Sequence, residues 1–242
     1  MPNLSEVSMG VNRSSSRIDR LKRITKVLVM ATIWGIVCFA GAGRLDWTRG
    51  WISTVTYVFA MTMTGLVVYR FNPDLIGARE KWRRANIQKF DKVCLAFFLP
   101  LTLIQVMIAG IDSVRYRWLP MPTWTTVPGI VLFLAAMALV TWSMVVNRFA
   151  EPTVRIQSDR GHKVVCTGPY RWVRHPMYVG FILMYPATAL MLGSGWAMAV
   201  AAVMVVLITW RTSQEDRFLR RELQGYSEFA TRTRFRLIPG LW

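Results

Sequence analysis

Residues 124–146 read WTTVPGIVLFLAAMALVTWSMVV, a stretch without one charged side chain and long enough to cross a bilayer as a helix. A hydrocarbon core of about 30 Å takes roughly 20 helical residues, and a helix satisfies its own backbone hydrogen bonds where no water can. Five further segments have the same character: Ile24 to Gly43, Gly50 to Tyr69, Val93 to Ile111, Pro176 to Leu192 and Trp196 to Ser213. Of these, Pro176 to Leu192 sits at the short limit for a span. The 242 residues are 53% hydrophobic, with 11 Trp and a mean hydropathy of +0.32. The expectation is an all-α, polytopic membrane helical bundle of about six spans.

The basic residues test that count, because Lys and Arg accumulate in cytoplasmic connections. All but four of the 30 fall in the N-terminal segment, the second and fourth connections and the C-terminal segment; the exceptions are Arg44, Arg49, Arg115 and Arg117. Six spans with both termini cytoplasmic follow. The net charge of +17 is spread over every inner connection, without the stacking platform or groove-reading helix of a nucleic-acid binder, so membrane lipids are the expected partner and nucleic acid is not. The cluster Arg79 to Arg84 around Trp82 reads as topology and anchoring only, with an interfacial segment lying along the membrane surface as the second reading. Cys38, Cys94 and Cys166 lack metal-ligand spacing, and no metal is expected. Ala40-Gly41-Ala42 imitates a signal-peptide cleavage site, but the apolar run before it is too long for one and reads as a retained anchor.

Chemistry concentrates after the fourth span. The run Gly168-Pro169-Tyr170-Arg171-Trp172-Val173-Arg174-His175-Pro176-Met177-Tyr178-Val179-Gly180 brings polar and ring-bearing residues to the mouth of an apolar helix. Pro176 suits the first helical turn, which puts His175 at the N-cap and the free N–H groups of that helix end near an anionic group. An interfacial aromatic belt explains Tyr170, Trp172 and Tyr178 alone, but His is seldom spent on anchoring. The turn Gly193-Ser194-Gly195 folds the last two spans into a hairpin and returns the chain beside His175, where Glu215 and Asp216 follow. Carboxylates there are costly unless solvated, paired or used; Arg211 and Arg220 stand at helical spacing to pair with them. Asn147, ending the fourth span, reads as a cap or loop-ordering residue, with substrate contact as the second reading.

These residues resemble the isoprenylcysteine carboxyl methyltransferase and phospholipid methyltransferase group of integral membrane enzymes. The likeness rests on Arg174-His175-Pro176-x-Tyr178-x-Gly180, the hydrophobic hairpin, the pair Glu215-Asp216, and the close from Gly225-Tyr226 to Pro239-Gly240. It covers roughly residues 147–242 and divides the chain into a basic segment 1–23, a four-span scaffold 24–146 and a methyltransferase-like core 147–242. It implies S-adenosylmethionine as cofactor and a lipophilic acceptor, with the carboxylate of an isoprenylcysteine-like compound one candidate. Carried over, Tyr170, His175, Pro176 and Tyr178 contact the cofactor, Gly180 clears space for it, and Glu215 and Asp216 hold its ribose or amino group. The second acid is Asp216 where the family usually has Glu, so its contact is the less secure. Arg174 and Glu215 are the candidate catalytic groups; Arg211 joins them as a cation orienting an anionic substrate, with Asn147 as the other substrate contact. A membrane NADPH-dependent reductase of the sterol-reductase kind is the enzymatic rival, though the Cys of its Arg-Asp-x-x-Arg-Cys run is missing here. A non-catalytic lipid-binding protein is the third reading.

Overall fold

A computed structural model describes residue 25 and residues 28–80 and 87–242. The start of the first span at Ile24 and the cluster from Lys81 to Arg84 lie outside the described residues. Among the described residues eight α-helices run in order: α1 (Leu28–Ala42), α2 (Thr48–Phe71), α3 (Pro73–Glu80), α4 (Lys89–Gly110), α5 (Thr126–Val146), α6 (Pro176–Leu192), α7 (Gly195–Glu222) and α8 (Tyr226–Arg232). Among the described residues there is no strand, only an isolated bridge between Pro120 and Ser194. Among the described residues four helical stretches are long and apolar enough to cross a membrane: Thr48–Phe71, Lys89–Tyr116, Thr123–Val146 and Gly195–Glu222. α6 has 17 residues, as short as its sequence indicates.

α5 and α6 pack most extensively. Small residues let their backbones meet: a Cβ on Gly129 would lie 2.5 Å from the Met191 nitrogen, and one on Gly180 would lie 2.5 Å from Val140 Cγ2. α4 joins this pair through Gln105, which is buried and donates to the carbonyls of Tyr185 on α6 (2.8 Å) and Ala197 on α7 (3.3 Å). Inside a bundle such a side chain is tolerated because its donors are met. Pro128 falls in the first turn of α5, where its missing N–H leaves no bond unmade; Pro100 and Pro186 lie inside α4 and α6.

The α6–α7 hairpin closes on Gly193, whose φ of +74° favours glycine, and on Ser194, which caps α7 by accepting the Ala197 N–H at 3.0 Å. That end is locked by Asp112, in a π-helical turn after α4. Asp112 is fully buried and accepts from Ser194 Oγ (2.6 Å), Leu119 N (2.7 Å) and Trp196 N (3.2 Å). At the other end α7 runs to Glu222, past the Ser213 expected from hydropathy. The extra nine residues add roughly 14 Å of helix at 1.5 Å per residue, and they carry Glu215 and Asp216 beyond the apolar stretch as a rigid post.

Candidate functional site

Everything unusual in the sequence gathers where this post meets the mouth of α6. α5 ends at Asn147, whose Oδ1 accepts the Phe149 N–H (2.8 Å) while its Nδ2 donates to the Tyr170 hydroxyl (3.1 Å). The cap and loop-ordering role is therefore real, and it fixes the start of an irregular connection, 147–175. Gly168 turns that connection with φ of +56°, and a Cβ there would come within 2.8 Å of Val146 Cγ2. Pro176 opens α6, His175 is its N-cap residue, and α7 brings Arg211, Glu215 and Asp216 alongside.

A cavity of about 90 Å³ lies between these elements. Of the residues singled out from sequence, Asn147, Tyr170, Arg174 and His175 line it, as do Tyr178, Arg211 and Glu215. Tyr178 donates its hydroxyl to Glu215 Oε2, and His175 Nδ1 stands 4.0 Å from Glu215 Oε1. The His175 and Tyr178 rings lie nearly parallel, 5.8 Å apart. The Glu215 carboxylate has no Arg or Lys within ion-pair distance among the described residues, and its side chain is 19% exposed.

Three expectations are corrected. Gly180 does not line the cavity; it faces α5, and the space it clears is for the Ala136 carbonyl and Val140. Pro176 also stands outside the lining and acts by starting the helix. Asp216 is fully buried as the hub of a charge cluster: Arg174 grips both its oxygens (2.7 and 3.2 Å), Arg220 and Arg236 donate to Oδ2 (3.1 and 3.0 Å), and Tyr226 donates to Oδ1 (3.0 Å). Nothing of Asp216 is left for a ligand. Of the two ion pairs offered by helical spacing, Asp216–Arg220 forms.

The two arginines are likewise engaged with partners of the fold. Beyond Asp216, Arg174 donates to the carbonyls of Thr233 (2.8 Å) and Arg234 (2.7 Å), so it ties the C-terminal tail to the mouth of α6. Arg211 turns away from Glu215 to Asp91 of α4, with Nε 2.8 Å from Oδ1, and donates to the Pro152 carbonyl. Its guanidinium carbon also lies 5.2 Å from the Tyr178 ring centre, over the ring face. Asp91 is fully buried, and its other oxygen accepts the Val154 N–H at 2.7 Å. A charge this deep has to be paired, and here the pair staples α4, α7 and the 147–175 connection together. The backbone around the helix N-terminus is partly engaged as well. Pro176 has no N–H, the Arg174 and His175 N–H groups go to Phe235 and Arg236 carbonyls, and the Tyr178 N–H turns back to His175.

Residues not singled out beforehand complete the lining. Phe149 and His162 pair their rings at 4.6 Å, and with Val164, Val165, Leu223 and Phe229 they make an apolar end. The chain has two histidines, and both line this cavity. Burial, helped by Arg155 and Arg160, lowers the His162 pKa to about 4, so the ring is neutral at pH 7. Its Nδ1 faces the Gln157 N–H at 3.3 Å. Thr153 also lines the cavity; it is 4% exposed and its hydroxyl has no hydrogen-bond partner. No periodicity marks a lone Thr in a loop, and Asp91 finds Arg211 across 120 positions, so neither was legible. Tyr226 belongs to the C-terminal motif but carried no assigned role. Among the described residues, no three His, Cys, Asp or Glu gather to hold a metal ion.

The site is thus a mouth of His, Tyr and Glu held between two spans and a folded-back tail. Residues 124–224 match the phospholipid methyltransferase family. The matched part runs from the turn before α5 to the end of α7, thus one helix earlier than the resemblance drawn from motifs, and it contains the hairpin and most of the cavity lining. The match covers less than half of the chain and is a likeness of that segment. No curated protein matches the chain.

Proposed function

We propose that the protein is an integral membrane methyltransferase that uses S-adenosylmethionine and acts on a lipophilic acceptor. The observation that carries this reading is the convergence of Tyr178 and Glu215 with the unpartnered Thr153 hydroxyl on one cavity at the end of the α6–α7 pair. A buried hydroxyl without a partner is costly and is relieved by a bound polar group. The residues fit the cofactor in kind. Glu215 and Thr153 would hold its hydroxyl and amino groups, the end formed by Phe149, His162 and Leu223 would take the flat base, and Lys163, a lining cation without an ion pair among the described residues, would face its carboxylate.

The closed volume is below the roughly 300–1,000 Å³ of small-molecule sites. The wall that yields is the 147–165 stretch, whose regular structure is one short helical turn at Ser158–Arg160 and which is held by ties such as Asp91 to Val154.

When bound, S-adenosylmethionine supplies a methyl group activated by a sulfonium. The protein's share is to align the acceptor with that methyl and to exclude water, and positioning contributes most in such a displacement. The fixed hydrogen bond from Tyr178 to Glu215, backed by Arg211 over the Tyr178 ring, holds one wall rigid for that purpose. The acceptor is a membrane lipid or lipid-like molecule, an isoprenylcysteine-like carboxylate among the candidates, arriving from the bilayer to a site at the cytoplasmic face. That placement, with both termini cytoplasmic, rests on the distribution of Lys and Arg.

The decisive experiment is equilibrium binding of S-adenosylmethionine and of NADPH to purified protein. The expected result is binding of the first alone, weakened at least about tenfold in His175→Ala and Glu215→Ala, as for a lost hydrogen bond to a charged group. NADPH binding, or unchanged affinity in both variants, overturns the proposal.

A further inference from the structure

The hydrogen bonds around His175 determine which ring nitrogen carries its proton. Asp216 receives three guanidinium groups and is therefore an ionised carboxylate, which can only accept. The Tyr226 hydroxyl, 3.0 Å from Asp216 Oδ1, spends its single proton there. Burial, with Asp216 beside it, pushes the Tyr226 phenol up, so the hydroxyl keeps that proton. Its oxygen lies 3.2 Å from His175 Nε2 and has only lone pairs left to offer. The nitrogen must be the donor, and Asp216 Oδ1 at 3.5 Å from the same nitrogen favours the same choice. In a neutral ring, Nδ1 is then bare.

Nδ1 faces Glu215 Oε1 at 4.0 Å. The other Glu215 oxygen is taken by Tyr178, and Arg211 pairs with Asp91; among the described residues no donor hydrogen-bonds to either Nδ1 or Oε1, so these are two acceptors facing each other. Arg174 beside the ring is fully engaged with Asp216 and the tail. Two acceptors at this separation suit one group that donates to both at about 2.8 Å, with positive charge favoured by Glu215.

We propose that Tyr226 and Asp216 are positioning residues that hold His175 as its Nε2–H tautomer, making Nδ1 and the Glu215 carboxylate a two-acceptor site for an ammonium group. The sequence had put an anion at this helix mouth; the side-chain network reverses the sign. Two sources carry such a group, the amino-acid end of the cofactor and the amine headgroup of a lipid. The inference deepens the methyltransferase reading and rests on it only for the first source.

Ring-labelled ¹⁵N-histidine spectra of the full chain in nanodiscs test it without turnover. With two histidines, His162→Gln assigns the spectrum. At pH 8 in phosphatidylcholine nanodiscs, His175 is expected to show a protonated Nε2 and a bare Nδ1; an Nδ1–H tautomer or an imidazolium overturns the proposal. Tyr226→Phe is expected to populate the Nδ1–H form, and an unchanged tautomer removes Tyr226 from the role. For the ligand, the probes are S-adenosylhomocysteine, its analogue lacking the amino group, and nanodiscs containing phosphatidylethanolamine. A shift of Nδ1 with S-adenosylhomocysteine but not the analogue assigns the site to the cofactor, and a shift with phosphatidylethanolamine assigns it to a lipid amine. In the first case Tyr226→Phe loses about fivefold affinity for S-adenosylhomocysteine alone, the worth of one hydrogen bond. If none of the probes moves Nδ1, there is no ammonium site. Calorimetry run in parallel separates the two readings: absence of nucleoside binding sinks the methyltransferase proposal and leaves the tautomer and the lipid arm to be judged by themselves.

Discussion

Thr153 and Asp91 show how single side chains shape this site from opposite directions. The Thr153 hydroxyl is buried against the cavity without a partner, so a ligand that meets it gains one hydrogen bond. Thr153→Val, which keeps the shape and removes the oxygen, is expected to weaken S-adenosylmethionine by about fivefold, while Thr153→Ser retains affinity; calorimetric titration of the three proteins checks this. Asp91 touches no ligand, yet Arg211 depends on it. Asp91→Ala leaves the Arg211 guanidinium, 5% exposed, beside the Tyr178 ring without its counter-charge. The expected cost is about 3–5 kcal/mol, read as a fall in thermal unfolding midpoint in detergent. These two positions also mark where reading the sequence stops. The role of Arg211 as a free cation for substrate followed from its place at a span end, and only a carboxylate 120 positions away cancels it.

At the scale of elements, α5 and α6 form the rigid wall and the 147–175 connection the soft one. Gly180 belongs to the wall. Its Cβ position lies 2.9 Å from the Ala136 carbonyl oxygen as well as against Val140, and backbone cannot swing aside as a side chain can. Gly180→Ala is expected to destabilise the bundle by about 1–3 kcal/mol through overpacking, measured by detergent thermal unfolding, with cofactor affinity per folded molecule preserved. Loss of affinity at full stability would return Gly180 to the cofactor side. Helix positions were well marked by hydropathy, including the short α6. The end of α7 was not, because hydropathy registers the apolar run and is blind to a helix that continues into charged residues stabilised by pairs such as Asp216–Arg220.

At the scale of the whole molecule, the proposed cytoplasmic face is the end of the bundle that holds the cavity. Cys38 and Cys94 are buried and Cys166 is exposed in the 147–175 connection, so the chain carries its own topology reporter. In sealed vesicles of known orientation, a membrane-impermeant maleimide is expected to label the protein at Cys166 only from the cytoplasmic side; labelling from the opposite side would invert the bundle and the site with it. The sequence by itself determined the helical membrane architecture, the hairpin and the neighbourhood of His175, Tyr178 and Glu215, because hydrophobic length, glycine turns and local motifs act over a few residues. Only the tertiary structure decided which charges remain available. Arg174, Arg211 and Asp216 are spent on partners brought together by folding, and Tyr226 sets the proton on His175, since in a low-dielectric interior each buried charge must find its counterpart wherever the fold puts it.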